Sequence, residues 1–371
     1  MPSSPAISSS LASSLAPLRW ATLTILTKKR YDFLLREYGS LENAWGKLNA
    51  SLLQKMGCKE QTVERVLTEM KELAVEETAR TLEDRGITFF TIDDDTYPEM
   101  LKNIADPPVF LFALGNLALL REPSIALVGT RDMSSYGKRV VQALVPELVS
   151  AGFITVSGLA LGIDAEVAKE TMRAGGRTIA VLGHGLQSIY PRKNARLAEE
   201  ILLSEGLLLT EYPLHTTPDT FTFPARNRII AGLTLGTVVL EAASQSGSLI
   251  TASLALDYGR EVFAVPGQIF DPHFTGTHEL IAKSGAKLVQ TSGDILRELG
   301  VVIPEGEKSA GYRAQTAEEK ILLASLTSLP QSIDDLVEKS ELPVASLNAT
   351  LTLMELKGGA KNVGAGMWVK T

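Results

Sequence analysis

Ile125-Ala126-Leu127-Val128-Gly129-Thr130-Arg131 reads as a strand that ends abruptly in a ligand-facing turn. Four aliphatic residues in succession, with no polar alternation, suit a strand covered on both faces. A glycine, a hydroxyl and a cation then follow at once. Outward from this stretch the same texture recurs at Ile154–Val156, Thr178–Leu182, Leu207–Glu211, Thr237–Glu241, Glu261–Val265 and Lys287–Gln290, with helical stretches between. Strands of this kind alternating with helices predict an α/β fold, an extended Rossmann-like, doubly wound and mostly parallel sheet. Ligands of such sheets bind outside the carboxyl ends of the strands.

The residues after each strand therefore matter most. They are Gly129-Thr130-Arg131, then Ser157-Gly158 running through Gly162-Ile163-Asp164, then Gly183-His184-Gly185 with Arg192-Lys193-Asn194 beyond it. Ser246-Gly247-Ser248 and Val265-Pro266-Gly267 follow the later strands. Small residues after one parallel strand serve a tight turn, but five such ends accompanied by Arg131, Arg192, Lys193, Arg226 and Arg228 point to an anion. Neither G-x-G-x-x-G nor G-x-x-x-x-G-K-[ST] occurs, which speaks against an ordinary dinucleotide or nucleoside-triphosphate enzyme. In Phe221-Thr222-Phe223-Pro224-Ala225-Arg226-Asn227-Arg228, aromatic rings stand before three phosphate-gripping side chains. Arginine forks match phosphate oxygens and aromatic faces suit unstacked bases, so this run reads as a single-strand nucleic-acid contact.

The chain has 371 residues and a net charge of -7, so any nucleic-acid function is confined to a pocket and not spread over the surface. No long apolar run suggests a membrane span. One cysteine, Cys58, excludes an intramolecular disulfide and suits a reducing cytosol. Four scattered histidines give no metal-ligand spacing, and no Ser/His/Asp set or carboxylate pair suggests catalysis, so no metal, cofactor or catalytic residue is expected. The expected order is a disordered tail over 1–18, a helical module over 19–86 with a helix-hairpin-helix or sterile-alpha-motif look, and a linker and lead-in over 87–122. The Rossmann-like domain follows over 123–300, a linker over 301–313 and a winged helix over 314–371. Within the helical module, Gln61–Asp84 shows one helical period ending at Gly86. In the winged helix, Ser332 and Asp335 form a capping box, and Gly364-Ala365-Gly366 turn a terminal hairpin. That last segment has 5 Lys against 7 Asp or Glu, and no arginine in its third helix, which favours a protein contact over duplex reading.

The motifs from Ile125-Ala126-Leu127-Val128-Gly129-Thr130-Arg131 through Phe223-Pro224-Ala225-Arg226-Asn227-Arg228-Ile229-Ile230-Ala231-Gly232 to Gly259-Arg260-Glu261-Val262 and Pro266-Gly267 together resemble the bacterial DNA-processing protein A family, DprA or Smf. The resemblance covers about Asp94–Leu299. It implies a cytosolic, non-catalytic protein that binds single-stranded DNA without sequence preference and loads RecA onto it in natural transformation and repair. It also implies a homodimer made through the Rossmann-like domain and traffic with single-strand-binding protein. Carried over by position, Arg131 holds phosphate in the central pocket, Arg226 and Arg228 line the same pocket, and Asn227 ties the loop. Phe223 stacks a base, and Arg192 or Lys193 extends the basic track. Two positions depart from the family's common pattern: Leu161 stands where Arg is frequent, and Ala168 where His is frequent. The rival readings are a nucleoside-monophosphate phosphoribohydrolase, with Glu241 as acid beside the Ala243–Thr251 turn, and a nucleotide-sensing module.

Overall fold

The structure, a computed structural model, describes residues 15–301, 312, 314–327, 330–364 and 366–370. The chain divides into two compact units at the boundary between Val302 and Ile303.

The first unit is built on a nine-stranded sheet in the order β1-β2-β6-β5-β4-β3-β7-β8-β9. These strands are β1 Ile87–Thr91, β2 Phe110–Gly115, β3 Ser124–Gly129, β4 Ile154–Ser157, β5 Thr178–Val181, β6 Leu207–Thr210, β7 Gly236–Glu241, β8 Glu261–Ala264 and β9 Lys287–Leu288. From β6 across to β9 every pairing is parallel. The chain leaves β3 for β4, β5 and β6 on one side and returns to β7, β8 and β9 on the other. The order thus reverses between β3 and β7, and the crevice of the doubly wound fold opens at their carboxyl ends. β3, β4, β5, β6 and β7 are buried along nearly their whole length because helices cover both faces.

The lead-in expected over 87–122 is part of the sheet. β1 and β2 pair antiparallel with each other, and β2 pairs antiparallel with β6. Phe89, Phe110 and Phe112 pack with ring centroids 5.0–5.7 Å apart. Burying three aromatic rings stabilises an antiparallel extension at the parallel sheet's edge.

The expected tail also needs correction. Residues 1–14 lie outside the described residues, but Ala16–Thr22 is a helix with a proline in its first turn, and Leu18 and Trp20 are fully buried. Trp20 donates to the Leu41 carbonyl at 3.0 Å and meets Trp45 edge-on. The helix expected over Gln61–Asp84 is two, Glu60–Glu72 and Val75–Asp84. Leu73 turns extended between them, which lets Val75 and Leu82 enter the core.

The second unit carries helices Ala317–Ser325, Ile333–Ser340 and Val344–Leu356 and a three-stranded sheet, β10 Gln331–Ser332, β11 Ala360–Gly364 and β12 Met367–Lys370, in the order β10-β12-β11. This is a winged helix around Leu322, Leu336, Leu347, Leu351, Met354 and Trp368. The Ser332–Asp335 capping box is formed. Of the expected linker over 301–313, residues 302–311 and 313 lie outside the described residues, as does Ala365 of the hairpin turn.

Candidate nucleic-acid interface

The crevice is assembled from loops that tie themselves together by backbone bonds. The Thr130 N–H donates to the Glu241 carbonyl at 2.8 Å, joining the ends of β3 and β7. The Thr130 carbonyl accepts from the Ile163 N–H at 3.1 Å, joining β3 to the loop after β4. Gly162 makes that approach possible: its φ is +76°, and a Cβ there would lie 2.4 Å from the Thr130 carbonyl oxygen. Below the loop, buried Asp164 accepts from the Gly158 N–H at 2.9 Å and the Ala160 N–H at 3.4 Å. Asn194 is buried too and donates to the Leu159 and Ala160 carbonyls at 2.9 and 3.1 Å.

The helix Thr222–Leu233 begins inside this crevice, and its Arg226-Asn227-Arg228 triplet fans out to three different loops. Arg226 is 5% exposed, and its guanidinium donates to the Val181 carbonyl at the end of β5. It also lies against Gly158, where a Cβ would sit 2.2 Å from Nη1, so a side chain there would displace the guanidinium. Burial pushes the Arg226 pKa down to about 10, opposed by the nearby Asp164 carboxylate, while Arg131 pushes the same way as burial. Burial in turn raises the Asp164 carboxyl above its ordinary range, against the pull of Arg226 and the two backbone N–H groups. Asn227 accepts from Arg226 Nε at 3.2 Å and donates to the Gly247 carbonyl at 3.3 Å. Arg228 grips Glu211, just past β6, through both Nη atoms at 2.6 Å, and its Nε lies 3.3 Å from the Asp106 carboxylate. Desolvation opposes the Arg228 charge, but Glu211 and Asp106 hold its pKa above the ordinary value.

Arg226 and Arg228, expected to line the pocket, spend guanidinium donors on partners within the protein. Both guanidinium groups are taken up inside the protein, and with Asn227, Asn194, buried Ser157 and Gly158 they build the crevice wall. Arg131, Arg192 and Lys193 are different. All three are exposed, and none pairs with a carboxylate among the described residues. Arg131 lies over the Phe223 ring at 5.8 Å, close enough for a cation–π contact. Phe223 in turn meets Tyr190 at 5.7 Å between centroids, and Tyr190 is half exposed. Beside them Gly247 is exposed, and the Ser246 and Ser248 hydroxyls bond each other at 2.7 Å. Leu161 lies on the same rim, 36% exposed, while Ala168 is buried in helix Ile163–Arg173.

Glu241 is 0% exposed and accepts from the Ser134 N–H and hydroxyl, the latter at 2.9 Å. Burial raises its pKa against those hydrogen bonds. Its carboxylate is thereby engaged at the start of helix Ser135–Ser150 and shielded from solvent. Two contributors escaped the sequence reading. Tyr190 carried a signal, an aromatic next to Arg192-Lys193 after a strand end. Glu211 carried none, since nothing in sequence pairs it with Arg228.

A crevice at a topological switch, rimmed by the exposed cations Arg131, Arg192 and Lys193 and by aromatic faces, defines a Rossmann-like protein whose strand ends suit an anion. Residues 88–300 match the family model for the DNA recombination-mediator protein A, and residues 307–366 match that for the DprA winged helix domain. The DNA processing protein DprA of Bacillus subtilis is 46% identical over 217 residues, which cover 58% of this chain and 72% of the relative. The X-ray structure of DprA from Streptococcus pneumoniae superposes with a TM-score of 0.66 at 38% identity, covering 77% of this chain and 98% of that one. A structure describing the single-stranded DNA binding mode of Helicobacter pylori DprA aligns with a TM-score of 0.52 at 31% identity, covering 57% of this chain and 95% of that one. The chain belongs to the DprA (Smf) family of DNA recombination mediators. Among the described residues no helix is long and apolar enough to cross a membrane.

Proposed function

We propose that this protein binds single-stranded DNA in the crevice, without sequence preference, and loads RecA onto it without catalysing any reaction. The observation that carries the reading is the exposed trio Arg131, Arg192 and Lys193, which form no salt bridge among the described residues, with Arg131 over the Phe223 ring that Tyr190 abuts. Cations that are not neutralised within the fold attract phosphates, and aromatic faces accept any base because every base has a π-face. The partly exposed Gly129-Thr130 turn and the exposed Gly247 add backbone polar groups along the same edge. The single-strand binding of the H. pylori relative supports the choice of ligand. A handful of phosphate contacts gives an affinity that RecA can take over, which suits a mediator better than a wholly basic surface. The cytoplasm, natural transformation and repair form the setting, with RecA and single-strand-binding protein as partners. The proposal includes a homodimer through the Rossmann-like unit, supported by the open edge of β9, where Leu288 is 47% exposed.

The test is titration of a fluorescent single-stranded oligonucleotide at several salt concentrations with duplex competitor, followed by RecA filament assembly on strands coated with single-strand-binding protein. Binding that weakens with salt and resists duplex, with faster filament assembly, is the expected result. Equal affinity for a mononucleotide, or no effect on filament assembly, overturns the mediator reading.

A further inference from the structure

Resting on that nucleic-acid reading, we infer that Tyr190, and not Phe223, is the platform on which a base of the bound strand stacks, with Phe223 as its buttress. Phe223 is the obvious choice by position, but it is only partly exposed and its ring already has two neighbours. Arg131 lies over it at 5.8 Å and Tyr190 abuts it at 5.7 Å with an interplanar angle of 38°. A base cannot enter between two rings at that spacing, since a sandwich needs about two stacking distances. Tyr190 has half of its surface open, and the exposed cations Arg192 and Lys193 follow one residue further on, after Pro191.

Tyr190 is also held in place before any ligand arrives. Its backbone N–H donates to Nε2 of buried His184 at 3.2 Å, while His184 Nδ1 bonds the Gly185 carbonyl at 2.9 Å. A ring whose backbone is fixed on one side and whose edge is packed on the other loses little freedom on binding. Phe221 is more exposed, at 84%, but among the described residues no aromatic or cationic partner lies against its ring.

The experiment compares an oligothymidylate with an abasic strand of equal length, titrated against the full-length protein and its Tyr190→Ala, Tyr190→Phe and Phe223→Leu variants. Loss of one base–aromatic stack weakens binding by roughly 5- to 150-fold. Tyr190→Ala is expected to lose affinity for oligothymidylate on that scale, keep its affinity for the abasic strand and keep its salt slope. Tyr190→Phe should match the unaltered protein, since the π-face is retained. Oligothymidylate binding by folded Tyr190→Ala as tight as that of the unaltered protein overturns this inference alone. So does a selective loss in Phe223→Leu that Tyr190→Ala does not share. No strand binding by the unaltered protein overturns the nucleic-acid reading itself.

Discussion

The helix start at Arg226–Arg228 and the loops bearing Arg131, Arg192 and Lys193 bring the same side-chain chemistry to one crevice, yet the surrounding chain treats them oppositely. Arg226 is walled in beneath Gly158 and donates to the Val181 carbonyl, and Arg228 is closed into a two-pronged pair with Glu211. Arg131, Arg192 and Lys193 face solvent with no carboxylate partner among the described residues. A guanidinium whose donors are spent on buried acceptors has little left for a phosphate. Its removal leaves those acceptors stranded, so its value is structural. A free cation contributes little to folding and much to a salt-dependent contact.

The comparison breaks most visibly at Arg226. Replacing it with alanine strands the Val181 carbonyl and leaves buried Asp164 without its nearby positive charge. The expected loss is on the order of 3 kcal/mol, read by urea denaturation. An Arg226→Ala protein of unchanged stability that fails only in DNA binding would return the residue to the binding surface. Arg228 comes next. Arg228→Ala and Glu211→Gln should each cost about 1–3 kcal/mol, and the double variant should cost less than the two added together, because both changes remove one bidentate pair. Additive losses would show that the pair is not a unit.

Arg131 sharpens the other side. Arg131→Ala should fold as stably as the parent, bind single strands on the order of tenfold more weakly at low salt, and flatten the salt slope by about 0.7 for the one lost phosphate contact. An unchanged slope in the folded variant would remove Arg131 from the phosphate track.

The strands of the core were legible because continuous runs such as Ile125–Val128 carry their burial in their composition. The strand ends were legible because glycines and hydroxyls cluster there. The employment of each arginine was not. Arg228 meets Glu211 and Asp106, and Arg226 meets Val181, only because the sheet order brings the ends of β5 and β6 to one place. Side-chain type shows what a residue is able to bind, while topology decides what it finds. The same holds for β2, whose Phe110–Gly115 run follows two prolines and shows no alternation. It became a strand by pairing with β1 and β6.

The winged helix supplies the smaller effects. Glu319 accepts from Lys357 Nζ at 2.8 Å and from the Gln315 N–H, which hold its carboxyl down to about 2. A folded value below the unfolded one means stability that is present above about 4.3 and lost as pH falls through about 2. Hydrogen exchange in helix Ala317–Ser325 should therefore speed up over that window, and Glu319→Gln should remove the pH dependence. Acid-independent exchange in the parent would show that the carboxylate does not brace this helix.

The smallest effect is expected on the outer face of helix Val344–Leu356, the element that a winged helix lays in a DNA groove. Among its residues Glu355 is the one charged side chain, and the outward positions are Ser346, Asn348, Ala349, Thr352 and Leu353, with Leu356 80% exposed. A surface without cations releases no counterions from a duplex, so it has no electrostatic term to lose. Asn348→Glu and Thr352→Glu together add two negative charges to that face and should still change DNA affinity by less than about twofold, with the salt slope unmoved. A larger loss would place DNA on this helix and end the division between a crevice that meets the strand and a winged helix that does not. If affinity holds while RecA filament assembly slows, this cation-free outer face meets protein.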